Sequence, residues 1–365
     1  MEKIGAIAMK NIGTILKEKR KALDLSMSEI SAIINIDQGL ISRIERGVRI
    51  PTEAQLVTFA DLYQMEISSL RKHWLADKIV KAVYGYKEAP EAFLIAEPRI
   101  EYLSSKNVLK PIELSKSIKT RLKEIDKLHR KWKSKKPLDG LRLRKMREYF
   151  TINYTHESNK IEGNTLTLQE THLVVNEGIT ISGKSMEEHL EAINHVEASE
   201  MLYEIVSDSV VFDERTLLDL HNIILRGINK RYAGCYRDVP VKISGSTHEP
   251  AQPYLIAKMM EDYFINYKNH IDVLHPVILA AEMHERLVSI HPFIDGNGRT
   301  ARLIMNLVLL SNGYTIANLK GDITNRLKYY KALENVQQDN EPDHFYHLII
   351  DSIEESLLSH IELAS

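Results

Sequence analysis

His291-Pro-Phe-Ile-Asp-Gly-Asn-Gly-Arg-Thr-Ala-Arg302 puts a proton acceptor, a hard-cation ligand, two glycines and two arginines into one short run. The residues after it, Leu303 to Leu310, are almost all apolar and read as a buried helix. Gly296-Asn297-Gly298 is then a loop that opens a helix. N–H groups at such a start point outward and the helix dipole favours negative charge, so the loop is an anion cradle. Arg299 and Arg302 share one face of the first turn. Arginine there suits phosphate oxygens, which it can hold with two hydrogen bonds. Asp295 stands just before the cradle, where it can hold Mg²⁺ against the same phosphates. His291 can take a proton at neutral pH. Singly these features are ordinary, since Gly-Asn-Gly is a common turn; the set carries the argument. Before the run, Pro276 to Ile290 has helical spacing, with Leu279, Met283, Leu287 and Val288 inward, and it delivers His291 at its end. Ile304, Leu307 and Leu310 anchor the helix that follows. Strand-like runs are few along the chain and helical periodicity is frequent, so the fold is mostly α.

The run resembles the signature of the Fic family, His-Pro-Phe-x-(Asp/Glu)-Gly-Asn-Gly-Arg-x-x-Arg, and matches it at every defined position. The resemblance implies an all-helical core and transfer of AMP from ATP to a protein hydroxyl, with release of pyrophosphate. It implies His291 as the base and Mg²⁺ on Asp295. Asn297 and the N–H groups around Gly296 and Gly298 would hold the α-phosphate, Arg299 the β-phosphate and Arg302 the γ-phosphate. Phe293 would point into the core and fix the loop. Tyr329 and Tyr330 lie where the family contacts adenine or ribose. Gln337 stands where relatives have asparagine, so nucleotide contact there does not follow.

Two upstream stretches gain meaning beside the signature. Ser158 and Glu162 are four apart, on one face of a helical turn that Gly163 ends. This resembles the family's inhibitory motif, (Ser/Thr)-x-x-x-Glu-(Gly/Asn) over 158–163, whose glutamate pairs with the second signature arginine, here Arg302. ATP then binds in a pose unsuited to in-line attack. The longer run Ile-Glu-Gly-Asn-Thr-Leu-Thr-Leu resembles the animal Fic enzyme that modifies a chaperone; the rest of that enzyme is not matched, so its target is not implied. Between 232 and 250, Val239, Val241 and Ile243 alternate and Gly245 turns the chain, which reads as a β-hairpin. The position matches the Fic flap, and Lys242, Ile243, Ser244 and Gly245 would border the nucleotide. An exposed strand there could align an extended target segment through its main chain.

The chain has 365 residues and a formal net charge of −2. That length allows two or three domains, and that charge drives it onto neither nucleic acid nor membrane. Cys235 is the single cysteine, which excludes an internal disulfide and suits the cytoplasm. Met1 to Leu16 reads as neither signal peptide nor membrane span.

Residues 1–75 read as short helices. Ile12, Ile15, Leu16, Ala22 and Leu25 have helical spacing; Ser26 and Glu29 form a capping box; Gln38 to about Arg46 is a third helix ended by Gly47; Pro51-Thr52 starts a fourth. A three-residue turn between the second and third helices describes a helix-turn-helix. The order Gln-Gly-Leu-Ile-Ser-Arg-Ile-Glu-Arg-Gly-x-Arg-x-Pro resembles the XRE/Cro-like repressors. By that resemblance Gln38, Gly39, Ser42 and Arg43 face duplex DNA, with Arg46 and Arg49 nearer the phosphates. The segment is only slightly basic, so a module that pairs protein chains stays open.

From 76 to 110 the sequence reads as a helical extension, interrupted at Ala89-Pro90 and Glu97-Pro98, then a polar linker from Glu101 to Pro111. Ile118, Leu122, Ile125 and Leu128 line one helical face, and Pro137 stops that helix. Residues 111–365 are then the Fic domain.

The sequence therefore reads as a self-inhibited protein adenylyltransferase using ATP and Mg²⁺, with a DNA-binding module. Its partners would be a Ser, Thr or Tyr hydroxyl of a target protein or of itself, and duplex DNA; no membrane is implied and a homodimer stays open. One rival is removal of AMP, with Glu162 positioning water. Another is a transcription regulator that only senses nucleotide, against which an intact His291 argues. Phosphocholine or phosphate transfer fits the complete Gly296/Gly298 pair less well.

Overall fold

The computed structural model describes residues 10–105, 112–136, 138, 140–208 and 210–365. The chain divides into two units, Met1–Leu109 and Lys110–Ser365.

In the first unit, α1 (Ile12–Ala22) starts at Asn11, whose side chain accepts from the Thr14 N–H. α2 (Met27–Ile34) opens with the expected Ser26/Glu29 capping box and ends at Asn35 in the left-handed region. α3 (Gln38–Glu45) is capped by Asp37. α4 (Glu53–Leu62) carries a second capping box, Thr52 with Gln55. Each cap satisfies N–H groups that the first helical turn cannot. Ile12, Leu16, Ile30, Ile41, Ile44, Leu56 and Phe59 form the buried core. α1 crosses α3 so closely that a Cβ on Gly13 would clash with the Ile44 carbonyl. Arg20 and the buried Glu45 bridge the same two helices at 2.6 and 2.8 Å. α5 (Ile67–Val83) closes the core with Trp74, whose indole N–H donates to the Pro51 carbonyl at 2.7 Å.

α6 (Ala89–Ser105) corrects two expectations. Pro98 lies inside this helix and does not interrupt it. The donor it lacks would have served Leu94, which is exposed, so water can serve that carbonyl instead. Glu101 to Ser105, read as linker, belong to the helix. The rest of that linker, and Pro137, lie outside the described residues.

The second unit is built around one helix. α7 (Lys116–Lys133) packs along the final helix and buries Ile118, Leu122, Ile125 and Trp132. α8 (Gly140–Ile161), α9 (Leu168–Glu177), α10 (Met186–Ser207) and α11 (Glu214–Leu225) follow, then α12 (Pro253–His270) and α13 (Pro276–Ile290). α14 (Asn297–Ser311) is buried from Arg299 to Leu309, mostly apolar after Arg302, with Asn306 the buried polar exception in that stretch. α8, α10, α11 and α13 all pack on it. α15 (Ile323–Glu334), a π-turn (Asn335–Asp339) and α16 (Asp343–Leu363) complete the unit.

No strand occurs among the described residues. The hairpin expected at the flap keeps its turn, where the Ser246 N–H donates to the Ile243 carbonyl at 3.2 Å and Gly245 has φ 76°. No ladder flanks it; two strands alone are marginal in water without further partners. No described helix is long and apolar enough to cross a membrane.

Candidate active site

α13 delivers His291 in the left-handed region at φ 52°, where it caps the helix through its N–H to the Leu287 carbonyl at 2.9 Å. A histidine at positive φ is uncommon and costs free energy that the surroundings must offset. Its Nδ1 lies 3.3 Å from the Val288 carbonyl. A carbonyl only accepts, so Nδ1 carries the proton and Nε2 is left as the free base. Burial is the main cause that lowers the His291 pKa, to about 4, so the ring is neutral at ordinary pH.

The loop between α13 and α14 is pinned from three sides. Phe293 is fully buried and stacks on His221, ring centroids 3.6 Å apart. The Gly234 N–H donates to His221 Nδ1 at 3.0 Å, so His221 Nε2 donates to the Asp295 carbonyl at 3.0 Å. Arg237, also buried, donates from Nε to the His291 carbonyl at 2.8 Å and from its other nitrogens to the Val239 and Ala251 carbonyls. The Arg237 backbone N–H reaches the Pro292 carbonyl at 2.9 Å. One side chain thus ties both feet of the flap to the histidine loop.

Asn297 is engaged within its own loop. Its amide accepts from the Phe293 N–H at 3.0 Å and donates to the Phe293 carbonyl at 2.9 Å. The side chain staples the loop. Gly296, at φ 76°, starts α14 with no side-chain cap. The first-turn N–H groups therefore lack both intrahelical partners and a capping side chain.

Glu162 fills that space. α8 ends at Ile161, and Gly163 turns away at φ 104°. Arg302, buried within α14, donates from Nε to Ser158 Oγ at 3.0 Å and from Nη2 to the Ser158 carbonyl at 2.9 Å and Glu162 Oε1 at 2.6 Å. A Cβ on Gly298 would clash with the same Glu162 oxygen, so the carboxylate sits against the helix start. Burial pushes the Glu162 carboxyl up, but Arg302 and Arg299 outweigh it and hold it below the ordinary range. Burial opposes charge on Arg302 as well, yet Glu162 leaves its pKa raised. Among the described residues, Arg302 Nη1 has no hydrogen-bond partner.

A cavity of about 620 Å³ lies over this pair. Glu162, His291, Asp295, Gly296, Asn297 and Gly298 border it on one side. Lys242, Ile243, Ser244 and Gly245 border it from the flap, and Tyr329, Tyr330 and Gln337 from α15 and the π-turn. Tyr329 is buried with its hydroxyl 3.1 Å from His284 Nε2, while Tyr330 donates to the Ile161 carbonyl at 3.2 Å. Ser158, Gly163, Phe293, Arg299 and Arg302 support the cavity without lining it. Asp295 is half exposed and close to Arg299 Nη2 at 3.3 Å. Among the described residues no three His, Cys, Asp or Glu side chains cluster as metal ligands. A cation on Asp295 would have to complete its shell with water and phosphate oxygens, as Mg²⁺ does.

Sequence reading missed Arg237, His221 and Arg326, a cavity-lining cation on α15. It also missed Glu191, which pairs with Arg299 at 2.7 Å. In the first unit Gln38, Gly39, Arg43, Arg46 and Arg49 are exposed on and after α3, and Ser42 is half-buried.

The Fic/DOC family matches residues 211–309, and the helix-turn-helix family matches residues 16–70. The protein adenylyltransferase Fic of Drosophila erecta is 34% identical over 221 residues, 60% of this chain and 43% of its own length. That of Drosophila melanogaster is likewise 34% identical with the same coverage. The chain thus spans under half the length of these curated relatives. A Fic-domain signalling protein from Bacteroides thetaiotaomicron superposes with a TM-score of 0.61 at 29% identity, over 66% of this chain and 97% of its own. Fic-1 from C. elegans, at 24% identity and a TM-score of 0.59, covers 92% of this chain and 96% of its own, and shares the fold. The chain carries a Fic domain preceded by an XRE-like helix-turn-helix domain.

Proposed function

We propose that this chain is a self-inhibited protein adenylyltransferase, with residues 111–365 as the transferase and residues 1–75 as a module for duplex DNA. The observation that carries the reading is Arg302 held by Glu162, which lines a cavity that His291 also lines. His291 Nε2 takes the proton of a target Ser, Thr or Tyr hydroxyl. The hydroxyl oxygen bonds to the α-phosphorus of ATP, the bond from that phosphorus to the bridging oxygen breaks, and pyrophosphate leaves. The N–H groups at the start of α14 hold phosphate oxygens, with Arg299 on the β-phosphate and Arg302, once released, on the γ-phosphate. Mg²⁺ on Asp295 would neutralise phosphate charge. Tyr329, Tyr330 and Lys242 to Gly245 border the nucleotide, and the flap main chain aligns the target.

Glu162 is the brake because its carboxylate occupies the helix start and Arg302 together. A guanidinium keeps its proton at ordinary pH, so only a competing anion can occupy it. A second reading has support from the same residue: the Glu162 side chain stays 32% exposed and ionised beside the cavity, suited to positioning water for AMP removal. Incubating the purified chain with ATP and Mg²⁺, with and without lysate, should leave AMP on protein hydroxyls by mass spectrometry. Release of free AMP from an AMP-modified protein, with no such labelling, would favour removal instead.

A further inference from the structure

Glu191 stands on α10, away from the signature and the inhibitory turn in sequence, yet it reaches both. Its Oε1 accepts from Arg299 Nη1 at 2.7 Å, and its Oε2 accepts from the Asn164 amide at 2.8 Å. Asn164 follows the inhibitory turn directly and is itself buried, with its other donor contact on the Glu188 carbonyl at 3.1 Å. The Glu191–Arg299 pair is buried, side chains 13% and 3% exposed. The contact on Nη1 leaves the other edge of the guanidinium buried but without a close partner. Nε has no hydrogen-bond partner among the described residues, and Nη2 has only long contacts of 3.3 and 3.5 Å to Asp295. Nε and Nη2 form the parallel fork that suits two oxygens of one phosphate. Asp295, at the end of that fork, borders the cavity.

We propose that Glu191 is a positioning residue: by holding Nη1 it aims the Nε/Nη2 fork of Arg299 at a β-phosphate, and through Asn164 it ties that aim to the inhibitory turn. The inference rests on the nucleotide reading above. Without Glu191 the remaining counter-charges of Arg299 are Asp295, on the cavity side, and Glu162, and the fork would fold toward those carboxylates and away from phosphate.

The test compares ADP with AMP on the full-length protein in the presence of MgCl₂, by calorimetry. ADP and AMP both lack the γ-phosphate and both meet the same start of α14, so Glu162 bears on the two alike. Glu191→Ala should weaken ADP about ten-fold, the order of one charge-assisted hydrogen bond, and leave AMP unchanged. Glu191→Gln keeps an acceptor for Nη1 and should recover most of the ADP affinity. Asn164→Ala should give a smaller ADP-selective loss. Equal weakening of ADP and AMP in Glu191→Ala, with no recovery in Glu191→Gln, would reduce Glu191 to a general structural role and overturn the proposal. Unchanged affinity for both would overturn it too. A parent protein that binds neither nucleotide would sink the underlying nucleotide reading, and the inference with it.

Discussion

The start of α14 and the surface of α3 are both helices that sequence patterns marked as functional, and they are held in opposite ways. At α14 every signature side chain is committed: Asn297 to Phe293, Arg299 to Glu191, Arg302 to Ser158 and Glu162. At α3 Gln38, Arg43 and Arg46 are exposed, and among the described residues only the Arg46 side chain of the three makes a hydrogen bond, to the Ser42 carbonyl at 3.3 Å. A buried, pre-set constellation can be read for mechanism because its geometry constrains the ligand. An exposed helix face offers shape and charge, and sequence preference emerges only against a groove.

The sharpest break in that comparison is His291→Ala. It removes the base and leaves the cradle, so AMP transfer should fall on the order of a hundred- to ten-thousand-fold while ATP binding stays. Equal transfer rates in variant and parent would remove His291 from the chemistry. Acid sharpens the contrast next. Burial lowers His221, His291 and His360 to about 4 and His284 to about 3. In the unfolded chain these rings regain an ordinary pKa near 6.5, so below that pH the unfolded state binds more protons. Stability of the second unit should therefore fall from about pH 6.5 toward about pH 4, by up to about 1.4 kcal/mol per pH unit for each ring. A denaturation midpoint that holds constant across this window would contradict the buried, neutral rings. The smallest effect is on α3. Arg43→Ala should cost about 1–3 kcal/mol at one base position of a selected duplex, with other positions unaffected. A binding-site selection that returns no preferred sequence would make the first unit a protein-pairing module.

The sequence carried the signature well because the elements of the cradle are local: glycines, a helix start and an i, i+3 arginine pair. The capping boxes at Ser26 and Thr52 are local for the same reason. What it could not carry depends on who meets whom. That Phe293 offers both a donor and an acceptor to the Asn297 amide was not legible. Arg237 sits in a stretch that reads only as a flap, and its value comes from carbonyls at 239, 251 and 291 converging on one guanidinium. Alternating Val239, Val241 and Ile243 promised strands, but with no strand among the described residues to pair against only the turn remains. The pairing of Glu162 with Arg302 could be stated from resemblance alone, and its place against the start of α14 needed the fold.

The most direct test of the brake is AMP labelling of Glu162→Gly against the parent, each incubated with ATP and Mg²⁺ and read by mass spectrometry. Removing the carboxylate frees Arg302 and the helix start together, so labelling of the protein itself should rise by about ten-fold or more, the order of one lost charge-assisted contact. Adding Arg302→Ala to Glu162→Gly should return labelling to the parent's level or below, because the γ-phosphate then has no partner. Labelling in Glu162→Gly no higher than in the parent, on any substrate tried, would contradict the account; loss of an AMP-removing activity in the same variant would assign Glu162 to hydrolysis instead.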